Sequence, residues 1–201
     1  MMHPNLVRVR KHWKRTLSGH PFERRLLDLA LATLALIVLS PALLAIAVAI
    51  RFTSAGRVCI FESRWGLWGQ PIQLLKFRLR DEESHELTGL GRWLESWHLD
   101  ELPTLLNVLR GDLSLVGPRA LQPIHNPELA NSPSLDALPG LTGLAQLRDL
   151  QGDLAVNPLD LDLQYLAHRT LIGDLGILLL TVWAIVRQPL HPAGVSIESR
   201  S

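Results

Sequence analysis

One cysteine, Cys59, in 201 residues excludes an intrachain disulfide and a cysteine metal cluster, and it fits a reducing compartment. A lone small thiol of this kind reads as a packing residue. No glycine-rich phosphate loop of the form GxxxxGKS, GxxxxGKT or GxGxxG is present, so a bound nucleotide must be held in another way. No internal repeat is visible either. The histidines show no metal-ligand spacing, and His85 and His98 read as incidental. Net charge is only +1 and the isoelectric point is near 8.1. The basic excess is confined to the first 25 residues, which argues against nucleic acid as a partner. The length suits one compact domain with an appendage rather than two domains.

What is abundant is apolar sequence, concentrated in one block. Mean hydropathy is +0.17, and Leu29 to Ile50 is a run of 22 residues without a charge. At about 1.5 Å per residue that run reaches roughly 33 Å, enough to cross a bilayer core of about 30 Å. It is longer than the apolar part of a cleaved signal peptide. Ahead of it, residues 1–25 carry seven arginines and lysines against the single acid Glu23, a pattern suited to anionic membrane lipid. Ser40–Pro41 interrupts the block, because proline removes a donor and crowds the carbonyl one turn back. Basic residues flank both ends (Arg24 and Arg25 before, Arg51, Arg57 and Arg64 after), which favours a re-entrant hairpin of helix, break and helix over a kinked single span. Ser40 or neighbouring helices can satisfy the backbone freed at the break. Asp28 is expected at headgroup depth or paired with an arginine.

The remainder divides into short elements. Two β-rich runs around Gly66 to Gly69 predict a β-hairpin, with Trp65 and Trp68 at its turn. The stretch "DEESHE" reads as a solvated loop. Leu90, Trp93, Leu94 and Trp97 form an apolar stripe at helical spacing, assigned to the core. The segment "SPSLDALPGLTGLAQL" reads as loop and turns. The apolar run from Leu171 to Val186 carries Asp174 and is short for a span, which favours a buried or surface-lying helix. The fold class expected is α+β, helix-dominated. Its divisions are a basic head 1–25, a membrane hairpin 26–51, a catalytic domain 52–190 and a tail 191–201.

The segment "WHLDELPTLLNVLRGDLSLVGPR", Trp97 to Arg119, is the most informative. Leu102, Leu105, Leu106 and Leu109 predict a helix over 101–110 that Gly111 ends. Asp100 would then cap it, Glu101 would complement its dipole and Pro103 would open it. The same geometry suits phosphate chemistry: a helix start collects phosphate oxygens, and adjacent acids hold Mg²⁺ against them. An ionised Asp is a competent nucleophile toward phosphorus when cations offset the charge, and Arg119 is suited to forked phosphate contact. Residue types alone leave both readings open.

The chain resembles the bacterial sugar transferases, or monotopic phosphoglycosyl transferases, over roughly residues 23–186. The resemblance rests on the Ser40–Pro41 break, "RWGLWGQP" leading to "KFR" at Lys76 to Arg78, "LDELPTLLNVLRGDLSLVGPR", "PGLTGLAQ", and a late apolar helix bearing Asp174. It implies a monotopic membrane protein on the cytoplasmic face of the bacterial inner membrane, with a homodimer left open. It also implies transfer of a sugar-1-phosphate from a nucleoside diphosphate sugar, usually a UDP-sugar, to polyprenyl phosphate. In that reaction Asp100 attacks the β-phosphorus, UMP leaves, and an aspartyl phosphosugar passes its group to the carrier. By the same resemblance Asp100 and Glu101 bind Mg²⁺, Lys76, Arg78, Arg119 and Gln146 face the substrate, and Asp174 braces the site. The chain departs from the family at Leu79–Arg80, at Ala120, and in "GLAQLRDLQGD". Those departures motivate the competing reading, a catalytically weak relative that serves glycan-assembly enzymes as a membrane-bound partner.

Overall fold

The computed structural model describes residues 22–54, 56–122, 132–152 and 156–187. Most of the basic head and the whole C-terminal tail lie outside the described residues. The order is helix α1 (Phe22–Thr53), strands β1 (Cys59–Trp65) and β2 (Pro71–Phe77), helix α2 (Gly89–Ser96), a 3-10 helix (Leu99–Thr104) and α3 (Leu105–Arg110). Strand β3 (Ser114–Val116), a second 3-10 helix (Pro133–Asp136), strand β4 (Gly140–Thr142) and helices α4 (Leu144–Leu150), α5 (Pro158–His168) and α6 (Leu171–Arg187) follow. Helices dominate, as the α+β expectation had it.

Helix α1 runs through Pro41 without losing its helical assignment, whereas the sequence suggests two helices around a break. Pro41 has no N–H to give to the carbonyl of Ile37, and the Ser40 hydroxyl donates to that oxygen instead, at 2.8 Å. The acceptor most exposed by proline is thereby satisfied inside an apolar segment, where an orphaned carbonyl is expensive. Both ends of α1 pack on the same body. Ala32 joins the core cluster of Leu74, Leu105, Val108, Leu113, Leu115, Val116 and Tyr165, while Ile46 and Ile50 join Phe77 and Leu94. Between them Ile37 and Val38 stay about two-thirds exposed. Among the described residues α1 is the one helix long and apolar enough to cross a membrane.

Polar anchors fix the start of α1. Arg25 donates to the carbonyls of Val108 and Leu109 at 2.7 and 3.0 Å, covering the exposed C-terminal acceptors of α3. Asp28, 4% exposed, accepts from Ser114 Oγ and from the Leu115 amide, both at 2.9 Å. Arg24 meets Asp174 at 3.4 Å, and Tyr165 donates to the other oxygen of Asp174 at 2.8 Å. Asp174 thus ties α6 to α1 and α5. Arg24 and Arg25, read from the sequence as a lipid-facing flank, hold the protein body instead.

The β1–β2 hairpin forms where expected, with antiparallel register from Cys59↔Phe77 to Trp65↔Pro71. Its turn includes Trp68 in the left-handed region at φ 55° and contacts the 3-10 helix Pro133–Asp136. The outer edge of β2 is covered by side chains rather than by another strand. Asn107, fully buried, accepts from Leu75 N at 3.0 Å and donates to Gln73 O at 2.7 Å. Thr104 Oγ1 donates to Leu75 O at 3.0 Å. An edge whose amides and carbonyls are paired in this way is closed to further strands.

The segment read as turns contains a strand. β4 pairs in parallel with β3, and the pairing continues through Gly117 N to Thr142 O and Gly140 N to Pro118 O. A Cβ on Gly140 would lie 2.1 Å from Gly117 N, so only glycine permits this approach. Three-residue strands carry no periodic signal, which is why composition marked the segment as loop. In α2, Leu90 and Leu94 enter the core as expected, but Trp93 is 49% exposed. Helix α6 buries Asp174 and Thr181 and presents Ile172, Leu179, Val182 and Trp183 outward.

Candidate active site

Asp100 and Glu101 lie in the 3-10 helix Leu99–Thr104 and not at the cap of an α-helix. His98 occupies the capping position with φ 53°, and its side chain makes no cap bond. That left-handed residue starts the turn two residues earlier than the leucine spacing suggests, and the α-helix proper begins only at Leu105. Asp100 is therefore released from the capping role assigned to it from sequence. Gly111 ends the helix as expected, at φ 93°, with its amide bonded to Asn107 and Val108.

Thr104 and Asn107 dock this segment on β2, which brings the dyad to Lys76. Lys76 Nζ lies 2.7 Å from Glu101 Oε1 and 3.0 Å from Glu62 Oε2. Glu62 also binds the Arg64 guanidinium, and Arg64 Nη1 donates to the carbonyl of Ala120 at 3.2 Å. The Trp65 amide donates to Leu121 O at 2.8 Å. A continuous row of charges thus leads from Glu101 through Lys76, Glu62 and Arg64 to the loop that follows Arg119.

The electrostatics of the dyad are asymmetric. Asp100 is 8% exposed, and burial, reinforced by the negative charge of Glu101 and opposed by Lys76, pushes its carboxyl up to about 7. Burial pulls the Lys76 ammonium down, but Glu101 and Glu62 outweigh it and hold Lys76 above the usual lysine value. Burial likewise raises Glu62, yet Lys76 and Arg64 prevail and keep it below the usual carboxylate value. The result is one carboxyl poised near neutrality beside a row of ion pairs.

Arg119 forms a second polar group nearby in sequence. Its amide donates to Asp162 Oδ2 at 3.1 Å, and its guanidinium binds Asp149. Asp162 is 1% exposed and burial raises its carboxyl to about 6, against the Arg119 amide and charge. Its Oδ1 and the Oε1 of Gln146 are buried without a hydrogen-bond partner among the described residues. Arg78 has different company: it is 7% exposed, donates to Ser54 Oγ at 2.7 Å, and pairs with Glu82 at 3.1 Å, tying the end of α1 to the exit of β2. Of the residues expected at the site, the structure joins Asp100, Glu101 and Lys76 directly. Arg119 and Gln146 belong to the neighbouring β3–α4 region, and Ser40, Pro41 and Asp174 support α1.

Sequence reasoning missed Glu62, Arg64 in its site role, Asn107, Asp149 and Asp162. A signal for two of them existed: strand alternation puts Ile60, Glu62 and Arg64 on the face that pairs with Leu74 and Lys76. Among the described residues no group of three or more His, Cys, Asp or Glu side chains gathers as a metal cage. Asp100 and Glu101 are neighbouring acids, the donor type that a magnesium ion takes alongside phosphates and water.

A family model described as "Bacterial sugar transferase" matches residues 20–188. A protein of Caulobacter vibrioides, named UDP-glucose:undecaprenyl-phosphate glucose-1-phosphate transferase, is 38% identical over 183 residues, covering 79% of this chain and 68% of the relative. A Klebsiella pneumoniae protein of the same name is 35% identical, covering 80% of this chain but only 39% of the relative. Exopolysaccharide production protein ExoY of Rhizobium meliloti is 31% identical and is covered over 84% of its length.

Proposed function

The chain belongs to the bacterial sugar transferase family, and from that premise we propose that it is a polyprenyl-phosphate sugar-1-phosphate transferase whose nucleophile is Asp100. The donor is a nucleoside diphosphate sugar, with UDP-sugars favoured by the names of its relatives. The observation that carries the reading is the Asp100, Glu101 and Lys76 cluster, in which a buried carboxyl poised at about 7 lies next to a 2.7 Å lysine–glutamate pair.

In the first step an Asp100 oxygen attacks the β-phosphorus, the bond from that phosphorus to the bridging oxygen breaks, and nucleoside monophosphate leaves. The product is an acyl phosphate between Asp100 and the sugar phosphate. In the second step a phosphate oxygen of the polyprenyl carrier attacks the same phosphorus, the Asp100 oxygen–phosphorus bond breaks, and the carboxylate is restored. Lys76 supplies positive charge beside the dyad, which favours the ionised nucleophile and offsets charge on the phosphoryl oxygens. Asp100 and Glu101 would hold a magnesium ion, which would supply further charge neutralisation. Arg119 can offer its guanidinium to the diphosphate by exchanging it from Asp149.

A lipid carrier must meet this site at headgroup depth. Both ends of α1 dock on one body while its apolar middle stays exposed, which supports a re-entrant α1 dipping into one leaflet. The catalytic body then lies on the cytoplasmic face of the inner membrane, where soluble nucleotide sugars are met. The test is release of nucleoside monophosphate from a panel of UDP-sugars by detergent-solubilised protein with Mg²⁺ and polyprenyl phosphate. Release by wild type and not by Asp100→Asn supports the reading. No release from any donor by folded protein argues for a non-catalytic membrane partner.

A further inference from the structure

We propose that Glu62 is a positioning residue for transfer, holding Lys76 in place over Glu101 and tying that lysine, through Arg64, to the loop that carries Arg119. The inference rests on the transferase reading above but concerns a residue outside the dyad. The geometry is specific. Lys76 lies diagonally across the β1–β2 pair from Glu62, which faces Leu74 directly, so the two side chains share one face of the hairpin at a separation that ion pairs can bridge. Lys76 Nζ sits 3.0 Å from Glu62 and 2.7 Å from Glu101, one ammonium between two carboxylates on separate elements. Glu62 is itself fixed on its other side by Arg64, and Arg64 reaches the Ala120 carbonyl.

A lysine on a flexible four-carbon stem has many rotamers, and one carboxylate partner leaves it free to swing. Two partners from different elements define its position. Arg64 extends the restraint across the site, so that the Lys76 side and the Arg119 side keep their separation as substrate enters. The half-buried setting of Glu62 and Lys76 makes these pairs less screened than surface pairs.

The test is a double-mutant cycle on carrier-dependent transfer, with Glu62→Ala, Glu62→Gln, Lys76→Met and the two double variants, each checked for a folded melting transition. Glu62→Ala should lower kcat about tenfold with KM changed less than twofold, since it touches no substrate. Glu62→Gln, which keeps an oxygen for Lys76 and Arg64, should recover much of that loss. In the Lys76→Met background, Glu62→Ala should cost nothing further, because its effect passes through Lys76. The inference is overturned if Glu62→Ala leaves transfer unchanged or raises it, or if it costs the same in both backgrounds. Wild type and Asp100→Asn in the same assay judge the transferase reading separately: turnover lost with Asp100→Asn upholds that reading whatever Glu62 does.

Discussion

Replacing Asp100 by asparagine should abolish transfer and, at the same time, stabilise the fold at alkaline pH. The folded carboxyl sits at about 7 against an ordinary value of 3.8, chiefly through burial, so the folded state binds its proton more tightly than the unfolded chain does. Between those values the folded protein carries more protons, and stability contributed by this group is fully present below about 4 and is lost as pH rises to about 7. From pH 5 to pH 7 the loss grows by about two units, on the order of 3 kcal/mol at 1.36 kcal/mol per unit. Asparagine fills nearly the same space and carries no charge to desolvate. For a chain of this size each kcal/mol moves the melting temperature by roughly 2–4 °C. The advantage of Asp100→Asn over wild type should thus be about 6–12 °C larger at pH 8 than at pH 5. The assay is thermal unfolding in detergent with a chelator present, so that no metal offsets the charge. An offset independent of pH, or a variant less stable at pH 8, would refute the reasoning that burial strains this carboxylate.

The same titration sets activity: transfer per free enzyme should rise about tenfold per pH unit below about 7 and level above it, read from kcat/KM profiles with a saturating carrier. Leu94, 0% exposed in the cluster with Ile46, Ile50 and Phe77, should cost about 2–5 kcal/mol when cut to alanine, measured by denaturant midpoint. Asp28→Ala removes the acceptor shared by Ser114 Oγ and the Leu115 amide and leaves that amide buried. It should cost about 3 kcal/mol and loosen the start of α1, seen as faster hydrogen exchange over residues 22–32.

Long-range features of this chain were legible where a residue pattern had a single physical meaning. The charge-free run announced α1, the Gly66 to Gly69 segment announced the hairpin, and Gly111 announced the end of α3. The role of Ser40 was also readable, because only one carbonyl loses its donor to Pro41. The 3-10 start at Leu99 was not, since leucine spacing cannot distinguish a helix capped at His98 from one capped by Asp100. Arg24 and Arg25 looked like membrane flanks because charge rules do not see tertiary acceptors, and those acceptors, Asp174 and the α3 carbonyls, lie more than eighty residues away. The β3–β4 pairing depended on glycines at 117 and 140 meeting across space. Lys76 lies against Glu101, whereas Glu62, Arg64, Asp149 and Asp162 became visible only when strands and loops were placed side by side.

The central claim is that Asp100 carries the sugar phosphate covalently. Its most direct measurement is mass spectrometry of the Asp100-containing peptide after wild type is mixed with UDP-sugar and Mg²⁺ in the absence of polyprenyl phosphate. The account expects a sugar-phosphate adduct on Asp100, formed with a matching burst of UMP, discharged when carrier is added, and missing from Asp100→Asn. UMP release that occurs only with carrier present, with no adduct on the peptide at any time, would contradict it.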